Sequence, residues 1–206
     1  MGLREQRDGS VEGVLTKMAI IMHFTEEYLP KLMEISMAEL GSDYLEEEDF
    51  LMTLTSKDDF CLVAIDETGP IGFTICNVFG KEKVDPILHM PDGPERDEIM
   101  KCDKIGYLAS VAVLDSAKRK GAGKLMVDAA EREFDRRRVD VSCAMAWKSV
   151  DGTVNIAKVV ERAGMKEVAE FAGYWNDPRA FPNGHDCPVC GNPCSCSAVY
   201  YLKRRR

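Results

Sequence analysis

A glycine-containing turn flanked by cations is one of two places in this sequence where residue types and spacing suggest chemistry. The first backbone N–H groups of a helix have no intrahelical acceptor, and the helix dipole adds partial positive charge there. A turn of this kind before a helix therefore favours a phosphate group. A tight turn that only packs a helix on a strand explains the glycines equally well. The turn reads Lys118-Arg119-Lys120-Gly121-Ala122-Gly123 and is followed by Lys124.

Two common nucleotide-binding motifs do not fit this turn. A dinucleotide-binding fingerprint has a third glycine three residues after Gly123, where this sequence has Met126. A P-loop requires Gly-Lys-Ser/Thr after a four-residue gap, and the turn does not contain that triplet. The sequence therefore favours a phosphate-containing ligand of another kind.

Four cysteines form the second such place: Cys187, Cys190, Cys194 and Cys196 fall within ten positions. Four thiolates satisfy tetrahedral zinc, and the glycine and prolines between them suit tight ligand turns. We favour zinc over an iron–sulfur cluster because nothing else in the chain suggests electron transfer. Its role would be to fix the loop before the last strand. His185 in place of one cysteine, a redox-sensitive thiol cluster and a single disulfide stay open as alternatives.

The elements that must position these residues alternate between strands and helices, which predicts a single α/β domain. Residues 1–13 are expected to form a flexible leader and residues 14–206 the domain. Two insertions are predicted, a loop or lid at 80–103 and the cysteine-rich segment at 182–198. The predicted strands cover 14–22, 60–65, 71–76, 105–114, 141–147, 167–175 and 197–202, and the predicted helices cover 25–41, 46–54, 121–138 and 154–163.

The residues before and within the glycine turn match a known signature in order and spacing. They read Ala109-Ser110-Val111-Ala112-Val113-Leu114-Asp115-Ser116-Ala117-Lys118-Arg119-Lys120-Gly121-Ala122-Gly123. This run resembles the GNAT N-acetyltransferase superfamily, whose signature is a Gln/Arg-x-x-Gly-x-Gly/Ala turn between the fourth strand and the third helix. The similarity extends in coarse form from about residue 14 to 202. It implies a mixed, mostly antiparallel central sheet flanked by helices.

The resemblance also implies a function and a coenzyme site. The function is acetyl-CoA-dependent transfer of an acetyl group to a primary amine of a small molecule or peptide. The backbone of the fourth strand would hydrogen-bond the pantetheine arm and polarise the thioester, while the turn holds the pyrophosphate. The implied coenzyme-binding residues are Val111, Ala112, Val113, Lys118, Arg119, Lys120, Gly121, Ala122, Gly123, Lys124 and, offset from the asparagine that relatives carry, Asn155.

Two positions depart from the family pattern without removing the coenzyme site. Lys118 replaces the usual Gln or Arg, which the backbone contacts of the turn should tolerate. Val160 stands four residues before Gly164, where many relatives carry a tyrosine general acid. The role of that acid is therefore vacant at this position.

A third departure concerns the general base. Strand alternation places Tyr107 and Ala109 on the face of Val111, where relatives often present a glutamate. Tyr107 is the candidate catalytic residue, and a tyrosine that only packs against its neighbours is the alternative. Trp147 and Tyr174 are candidates for the wall of the acceptor site, with a core position as the alternative for both.

The overall charge narrows the choice of partners. A net charge of −8 disfavours nucleic acid, because phosphate backbones recruit a basic face. Many acidic residues lie between Glu26 and Glu48, and they are compatible with a site for a cationic amine acceptor, although a solvated helix face is the favoured interpretation. Without an apolar stretch of ~20 residues or a hydrophobic signal core, we expect a cytoplasmic protein that does not bind membranes. A homodimer stays open.

Two other functions stay open at this point. The missing tyrosine and glutamate are compatible with a non-catalytic acyl-CoA-binding sensor or regulatory module. The cysteine-rich segment at 182–198 (the cysteine loop) and the basic residues Arg204–Arg206 are compatible with a nucleic-acid adaptor, which the overall charge disfavours.

Overall fold

The computed structural model describes residues 19–42, 44–179, 181–182 and 184–205. The predicted leader and the start of the first predicted strand lie outside the described residues. Within them, the strands are β1 (Ile20–His23), β2 (Phe60–Asp66), β3 (Gly69–Phe79), β4 (Ile105–Val113), β5 (Val141–Lys148), β6 (Lys166–Ala172) and β7 (Ser197–Arg204). The helices are α1 (Leu29–Leu40), α2 (Glu47–Thr55), α3 (Val84–Leu88), α4 (Pro94–Ile99), α5 (Ala122–Arg136) and α6 (Ala157–Arg162).

The strands form one sheet in the order β1-β2-β3-β4-β5-β7-β6. Every neighbouring pair is antiparallel except β4 and β5, which run parallel. The last strand in sequence, β7, lies between β5 and β6 and so joins the outermost strand to the rest of the sheet. The predicted α/β fold with a mixed, mostly antiparallel central sheet flanked by helices is confirmed.

The two faces of the sheet bury different sets of helices because successive strand side chains point to opposite sides. Along β2, Phe60 and Leu62 pack with α5 and α6, whereas Cys61 and Val63 pack with α1 and α2. Helices α3 and α4 and the cysteine loop cover the part of the second face that β5 and β7 build. The glycine turn and the cysteine loop therefore belong to opposite sides of the sheet.

The parallel pair β4–β5 separates part of the way along its length. Pairing runs from Ile105 opposite Val141 to Leu108 opposite Ala144 and stops there. Both strands continue, β4 to Val113 and β5 on to Lys148. No strand among the described residues fills the gap, so the sheet opens into a cleft at its centre.

The segment at 80–103 differs from the predicted loop or lid. It contains α3 and α4, and Val84, Leu88 and Ile99 are buried in the core. The prolines that suggested an irregular loop begin or punctuate these short helices instead, since proline is tolerated in the first helical turn. The segment is therefore part of the packed second face.

The basic residues at the end of β7 are paired with acidic side chains. Lys203 and Arg205 both contact Glu131, with 2.8 Å between Arg205 Nη2 and the Glu131 carboxylate. Arg204 contacts Glu98 at 2.6 Å. Arg206 lies outside the described residues. These pairs fasten β7 to α5 and α4, and they leave the nucleic-acid hypothesis without support from this segment. None of the helices in the described residues combines the length and hydrophobicity that crossing a bilayer requires.

Candidate functional site

A cavity of about 620 Å³ occupies the cleft between the separated ends of β4 and β5. Its wall at one end is the glycine turn and the first residues of α5, with α6 beside them. At the other end the wall consists of Tyr44, which follows α1, Trp147 on β5, and Trp175 and His185 from the chain before β7. The cavity therefore joins the two places that the sequence singled out.

The backbone of the glycine turn is shaped for an anion. Arg119 and Gly121 have positive φ values of 63° and 92°, and α5 begins at the next residue, Ala122. Left-handed residues before a helix bring successive N–H groups into a concave nest that binds anions. A Cβ atom on Gly123 would lie 3.8 Å from the nearest atom outside its own helix, a methyl of Val113, so within the described part of the chain no side chain crowds Gly123.

An ion pair fixes the beginning of the turn against α1. The carboxylate of Glu39 accepts a hydrogen bond from the backbone N–H of Asp115 at 2.9 Å. Its other oxygen lies 2.6 Å from Nζ of Lys118. No local sequence pattern indicated this role of Glu39, because Glu39 and Lys118 are 79 positions apart. The pair orders the turn before any ligand is bound.

Five cations line the cavity although the chain is acidic overall. Glu39, which pairs with Lys118, is the acidic residue on the wall among the described residues. Two of the cations lie on α6 and were missed in the sequence, although their i, i+4 spacing puts them on one helix face. The local charge therefore suits a ligand that carries several phosphates. The five are Lys118, Arg119, Lys124, Lys158 and Arg162.

The structure brings most of the predicted coenzyme residues to the cavity wall. Lys120 is exposed to solvent and does not line the cavity. The side chain of Ala122 is buried, so Ala122 could contact a ligand only through its backbone at the start of α5. Asn155 lines the wall just before α6. The others on the wall are Val111, Ala112, Val113, Lys118, Arg119, Gly121, Gly123 and Lys124.

The prediction that Tyr107 shares the face of Val111 is wrong. The register between β3 and β4 skips Ala109, which is therefore an extra residue in a β-bulge and shifts the alternation. Tyr107 packs edge-on against Phe79 in the cluster under α3 and α4, whereas Val111 packs on the α5 side. Burial raises the pKa of Tyr107 well above its usual value. Its proposed catalytic role gains no support from this position.

Val160 is also not on the cavity wall. It is fully buried in the core between α6 and the sheet, whereas Val159 on α6 and Ile156 just before it line the cavity. The vacant tyrosine position of the family signature thus corresponds to a core position in this chain. A tyrosine there would point into packed side chains.

Aromatic side chains form the end of the cavity opposite the glycine turn. Tyr44, Trp147, Trp175 and His185 line it, and the His185 ring lies 5.5 Å from Tyr44, 6.4 Å from Trp147 and 6.1 Å from Trp175 between ring centroids. Trp147 lines the cavity, and its role as a wall of the acceptor site stays a prediction. Tyr174, the other residue expected there, is not on the cavity wall, because its hydroxyl donates to the Leu88 carbonyl at 2.8 Å within the core.

Tyr44 brings a protonated hydroxyl to this aromatic end. Burial raises the pKa of Tyr44 to about 12. The hydroxyl is therefore a hydrogen-bond donor at neutral pH. No sequence pattern indicated Tyr44, because it follows α1 in an irregular segment.

The acidic run at 26–48 does not surround the cavity. Of its members in the described residues, Glu39 reaches the wall. Glu46 caps α2, and Glu34 pairs with Lys31 on the surface. Asp43 lies outside the described residues. The solvated helix face that the sequence left open accounts for most of this run.

The four cysteines of the loop converge on one point. The sulfur atoms of Cys187, Cys190, Cys194 and Cys196 lie within 4.8 Å of one another, and none is in a disulfide. His185 is not part of this group, because its ring packs among the aromatic side chains of the cavity end. The cysteine loop therefore packs behind the aromatic side chains that line this end of the cavity.

Comparison with known proteins agrees with this architecture. The Arabidopsis thaliana NAA60 structure in complex with acetyl-CoA is similar with a TM-score of 0.65 and 11% identity, over 90% of this chain and 98% of that one. Ribosomal-protein-S18-alanine N-acetyltransferase from Escherichia coli is similar with a TM-score of 0.60 and 13% identity, over 91% and 94%. Drosophila melanogaster polyamine N-acetyltransferase is similar with a TM-score of 0.62 and 10% identity, over 91% and 100%.

These identities are low, so the structural likeness concerns the fold alone. The sequence matches none of the curated proteins with which it was compared. The family model described as "Acetyltransferase (GNAT) family" matches residues 27–164, about two thirds of the chain, and its range ends before the cysteine loop. The chain belongs to the GNAT acetyltransferase family.

Proposed function

We propose that the protein is an acetyl-CoA-dependent N-acetyltransferase that moves an acetyl group to a primary amine of a small molecule or peptide. The observation that carries the proposal is that one continuous cavity runs through the cleft in the sheet. It has phosphate-binding chemistry at the glycine turn, an open strand edge in the middle and a separate aromatic end. Coenzyme and acceptor each need one of these ends, and the acetyl group would lie between them.

The coenzyme would follow the cavity from α5 to the gap in the sheet. Its pyrophosphate fits the N–H groups at the start of α5 and the cations around them. The pantetheine arm would extend along β4 beyond Leu108, where β5 no longer pairs with it. Backbone groups on that edge are free to hydrogen-bond an amide-containing chain, as a strand would.

The reaction would join the acceptor nitrogen to the thioester carbon. The lone pair of a neutral amine attacks the carbonyl carbon, the C–S bond breaks, and the electron pair leaves with sulfur. The nitrogen loses one proton and the thiolate gains one, so the balance requires no other reagent. Holding both substrates in one cavity supplies much of the rate, since positioning alone removes a large entropic barrier.

Tyr44 is the candidate donor of the proton to the departing thiolate. It lines the cavity, and its high pKa keeps the hydroxyl protonated at neutral pH. This assignment replaces the tyrosine that relatives carry on a different element, since Val160 occupies that position here. The four cysteines take no part in the chemistry, and a zinc ion held there would be structural.

The acceptor is proposed to be an amine that carries or lies beside a positive charge. The faces of Tyr44, Trp147 and Trp175 at the acceptor end attract cations through their ring quadrupoles. This source of attraction differs from the acidic run that the sequence suggested. A panel of polyamines, amino acids, aminoglycosides and peptide N-termini covers the range from cationic to neutral amines.

The test is a thiol-release assay with acetyl-CoA and this acceptor panel, with product mass as a second readout. We expect release that depends on both substrates and a product heavier by one acetyl group. Trp147→Ala should raise KM for the acceptor more than KM for acetyl-CoA. Tight binding of acetyl-CoA without turnover for any amine would favour the sensor function. In favour of that function, Glu39 is the acidic residue on the wall among the described residues, and it is paired with Lys118. Absence of acetyl-CoA binding would refute both.

A further inference from the structure

The sulfur atoms of the cysteine loop have the spacing of a single tetrahedral metal centre. The Sγ–Sγ distances are 3.9 Å for Cys187–Cys196, 3.7 Å for Cys190–Cys194 and 3.6 Å for Cys190–Cys196. A zinc–sulfur bond of ~2.3 Å gives a tetrahedron edge of about 3.8 Å. A disulfide would need ~2.05 Å, and no pair approaches that distance. The three distances therefore match the edges of one ZnS₄ unit.

Backbone N–H groups point at these sulfurs, as they do around metal thiolates. The N–H of Ser195 donates to Sγ of Cys190 at 3.2 Å, and the N–H of Cys190 donates to Sγ of Cys187 at 3.5 Å. Donors of this kind stabilise negative charge on sulfur. The buried Nε1 of Trp147 has no hydrogen-bond partner among the described residues, and the side chain of Cys196 is its neighbour. A thiolate at Cys196 would satisfy this indole N–H.

The backbone of the loop is arranged to hold the four ligands. The N–H of Gly191 donates to the Cys187 carbonyl at 2.8 Å in a tight turn, and the φ of 76° at Gly191 is one that only glycine adopts without strain. The amide of Asn176 clamps the third cysteine, since its oxygen accepts from the N–H of Cys194 at 2.9 Å and its Nδ2 donates to the Cys194 carbonyl.

Burial gives a second reason for a bound ion. Cys187, Cys194 and Cys196 are at most 3% exposed, yet the residues before them back to Asp177 form no helix or strand in the described part of the chain. Such a segment has little apolar surface of its own with which to offset its conformational entropy. Metal ligation supplies that stabilisation in small irregular segments.

We propose that Cys187, Cys190, Cys194 and Cys196 bind one zinc ion that builds the acceptor end of the cavity. Four thiolates within 4.8 Å of one another converge on one ion, whereas in an iron–sulfur cluster they bind different irons with sulfides between them. Four protein ligands leave no open position, so the ion is structural and does not activate a substrate. Nothing in the GNAT family match covers this loop, which follows residue 164.

The ion would act on the acceptor site through the side chains next to it. Trp147 lines the cavity, and its side chain is next to Cys196. Trp175 packs in the same cluster as the cysteines. The loop also contacts the end of α1, where the Ser42 hydroxyl donates to the Asp186 carboxylate at 2.9 Å. Releasing the ion should loosen this wall and leave the glycine turn, on the other side of the sheet, in place.

The first experiment is elemental analysis of protein purified under reducing conditions from medium that contains both zinc and iron. We expect about one zinc per chain. The Cys190→Ser variant should lose most of the zinc, and Cys102→Ser, the same change at a buried cysteine outside the loop, should keep it. Cobalt exchanged into the wild-type chain should give a tetrahedral visible spectrum with sulfur-to-cobalt charge-transfer bands, which tests the site even where a variant fails to fold.

The second experiment uses the two tryptophans of the chain, Trp147 and Trp175, as reporters because both lie beside the loop. Release of the ion by a mercurial reagent or chelator should change the tryptophan emission and leave acetyl-CoA affinity within about threefold. Reduced protein without metal, one iron per chain in place of zinc, or cobalt spectra without charge-transfer bands would overturn the assignment. Unchanged emission on zinc release would overturn the supporting role.

Discussion

Substitution of Gly123 by glutamate tests the phosphate site most directly. A Cβ atom at this position has only ordinary contacts, with methyl groups of Val113 at 3.8 Å and of Val159 at 4.0 Å, so the fold should accept a side chain. Position 123 is the second residue of α5, where a negative charge is favourable to the helix dipole. The variant should therefore fold, and its carboxylate would occupy the place of the pyrophosphate.

The cost to coenzyme binding follows from the distance between like charges. Two unit charges ~4 Å apart repel by roughly 1 kcal/mol in water and roughly 4 kcal/mol at the lower dielectric of a protein surface. The cavity is partly enclosed and the pyrophosphate carries more than one charge, so we expect a loss of about 2–4 kcal/mol. This loss corresponds to roughly 30- to 1000-fold weaker acetyl-CoA binding, since ~1.4 kcal/mol is tenfold.

The assay is isothermal titration of acetyl-CoA, with thermal melting to establish that each variant is folded. The matched control is Gly123→Gln, which adds a side chain of nearly the same size without the charge. Its affinity should fall less, because it keeps only the steric part of the change. Equal affinities for the folded glutamate and glutamine variants would refute the electrostatic reasoning, and unchanged affinity in both would refute the assigned turn.

Three further substitutions test other parts of the structure. Gly41→Ala should lower the free energy of unfolding by at least about 2 kcal/mol, because φ is 107° there and a Cβ atom would lie 2.4 Å from a carbonyl oxygen of the cysteine loop. Val160→Tyr should cost about 1–3 kcal/mol or more and should not raise turnover, because Val160 is fully buried in the core. Tyr44→Phe should lower kcat about tenfold or more while acetyl-CoA affinity stays the same. Because the pKa of Tyr44 is about 12, deprotonation of its hydroxyl should not lower the kcat of the wild type below pH 10.

Each of these has a matched control in the same chain. Gly69 also has a positive φ, of 110°, but no atom of the described residues lies within 4 Å of a Cβ added there. If Gly69→Ala lowered the free energy of unfolding as much as Gly41→Ala does, the contact of the Gly41 position with the cysteine loop would not explain the loss. Val168→Tyr adds the same side chain at a position that is 44% exposed, and it should melt like the wild type. Tyr174→Phe removes a hydroxyl bound to Leu88 in the core, and a fall in kcat as large as that of Tyr44→Phe would contradict the assignment of Tyr44.

The parts of the fold that local patterns determine were predictable from the sequence. The segment from β4 through α5 joins a buried strand, a glycine turn and an amphipathic helix, and each boundary has a local signal. The same holds for the hairpin of β2 and β3, with its turn at 66–69. The spacing of the four cysteines also predicted that their sulfur atoms converge. Ligands of one ion must lie close together in space, and these four are already close in sequence.

What the sequence did not reveal depends on contacts between distant segments. The bulge at Ala109 arises from the pairing of β4 with β3, and simple alternation along β4 therefore assigned Tyr107 to the wrong face. The contribution of Glu39 requires α1 to pack beside the glycine turn, and Tyr44 belongs to the cavity only because the chain after α1 meets the cysteine loop. The helices at 84–88 and 94–99 are too short for their periodicity to stand out from a proline-containing loop.

The two ends of the cavity come from different stretches of the chain, and this division limits what family membership implies about the substrate. The side chains around the phosphate turn lie almost entirely between residues 108 and 162, within the range that the GNAT family model matches. The aromatic end draws on Trp175 and His185, which follow that range, and on a cysteine loop that the match does not cover. Under the proposed function, the coenzyme would therefore be bound by the part of the fold that the family shares. The acceptor would be chosen at the aromatic end, so a change in the cysteine loop should alter which amine is acetylated and leave acetyl-CoA binding intact.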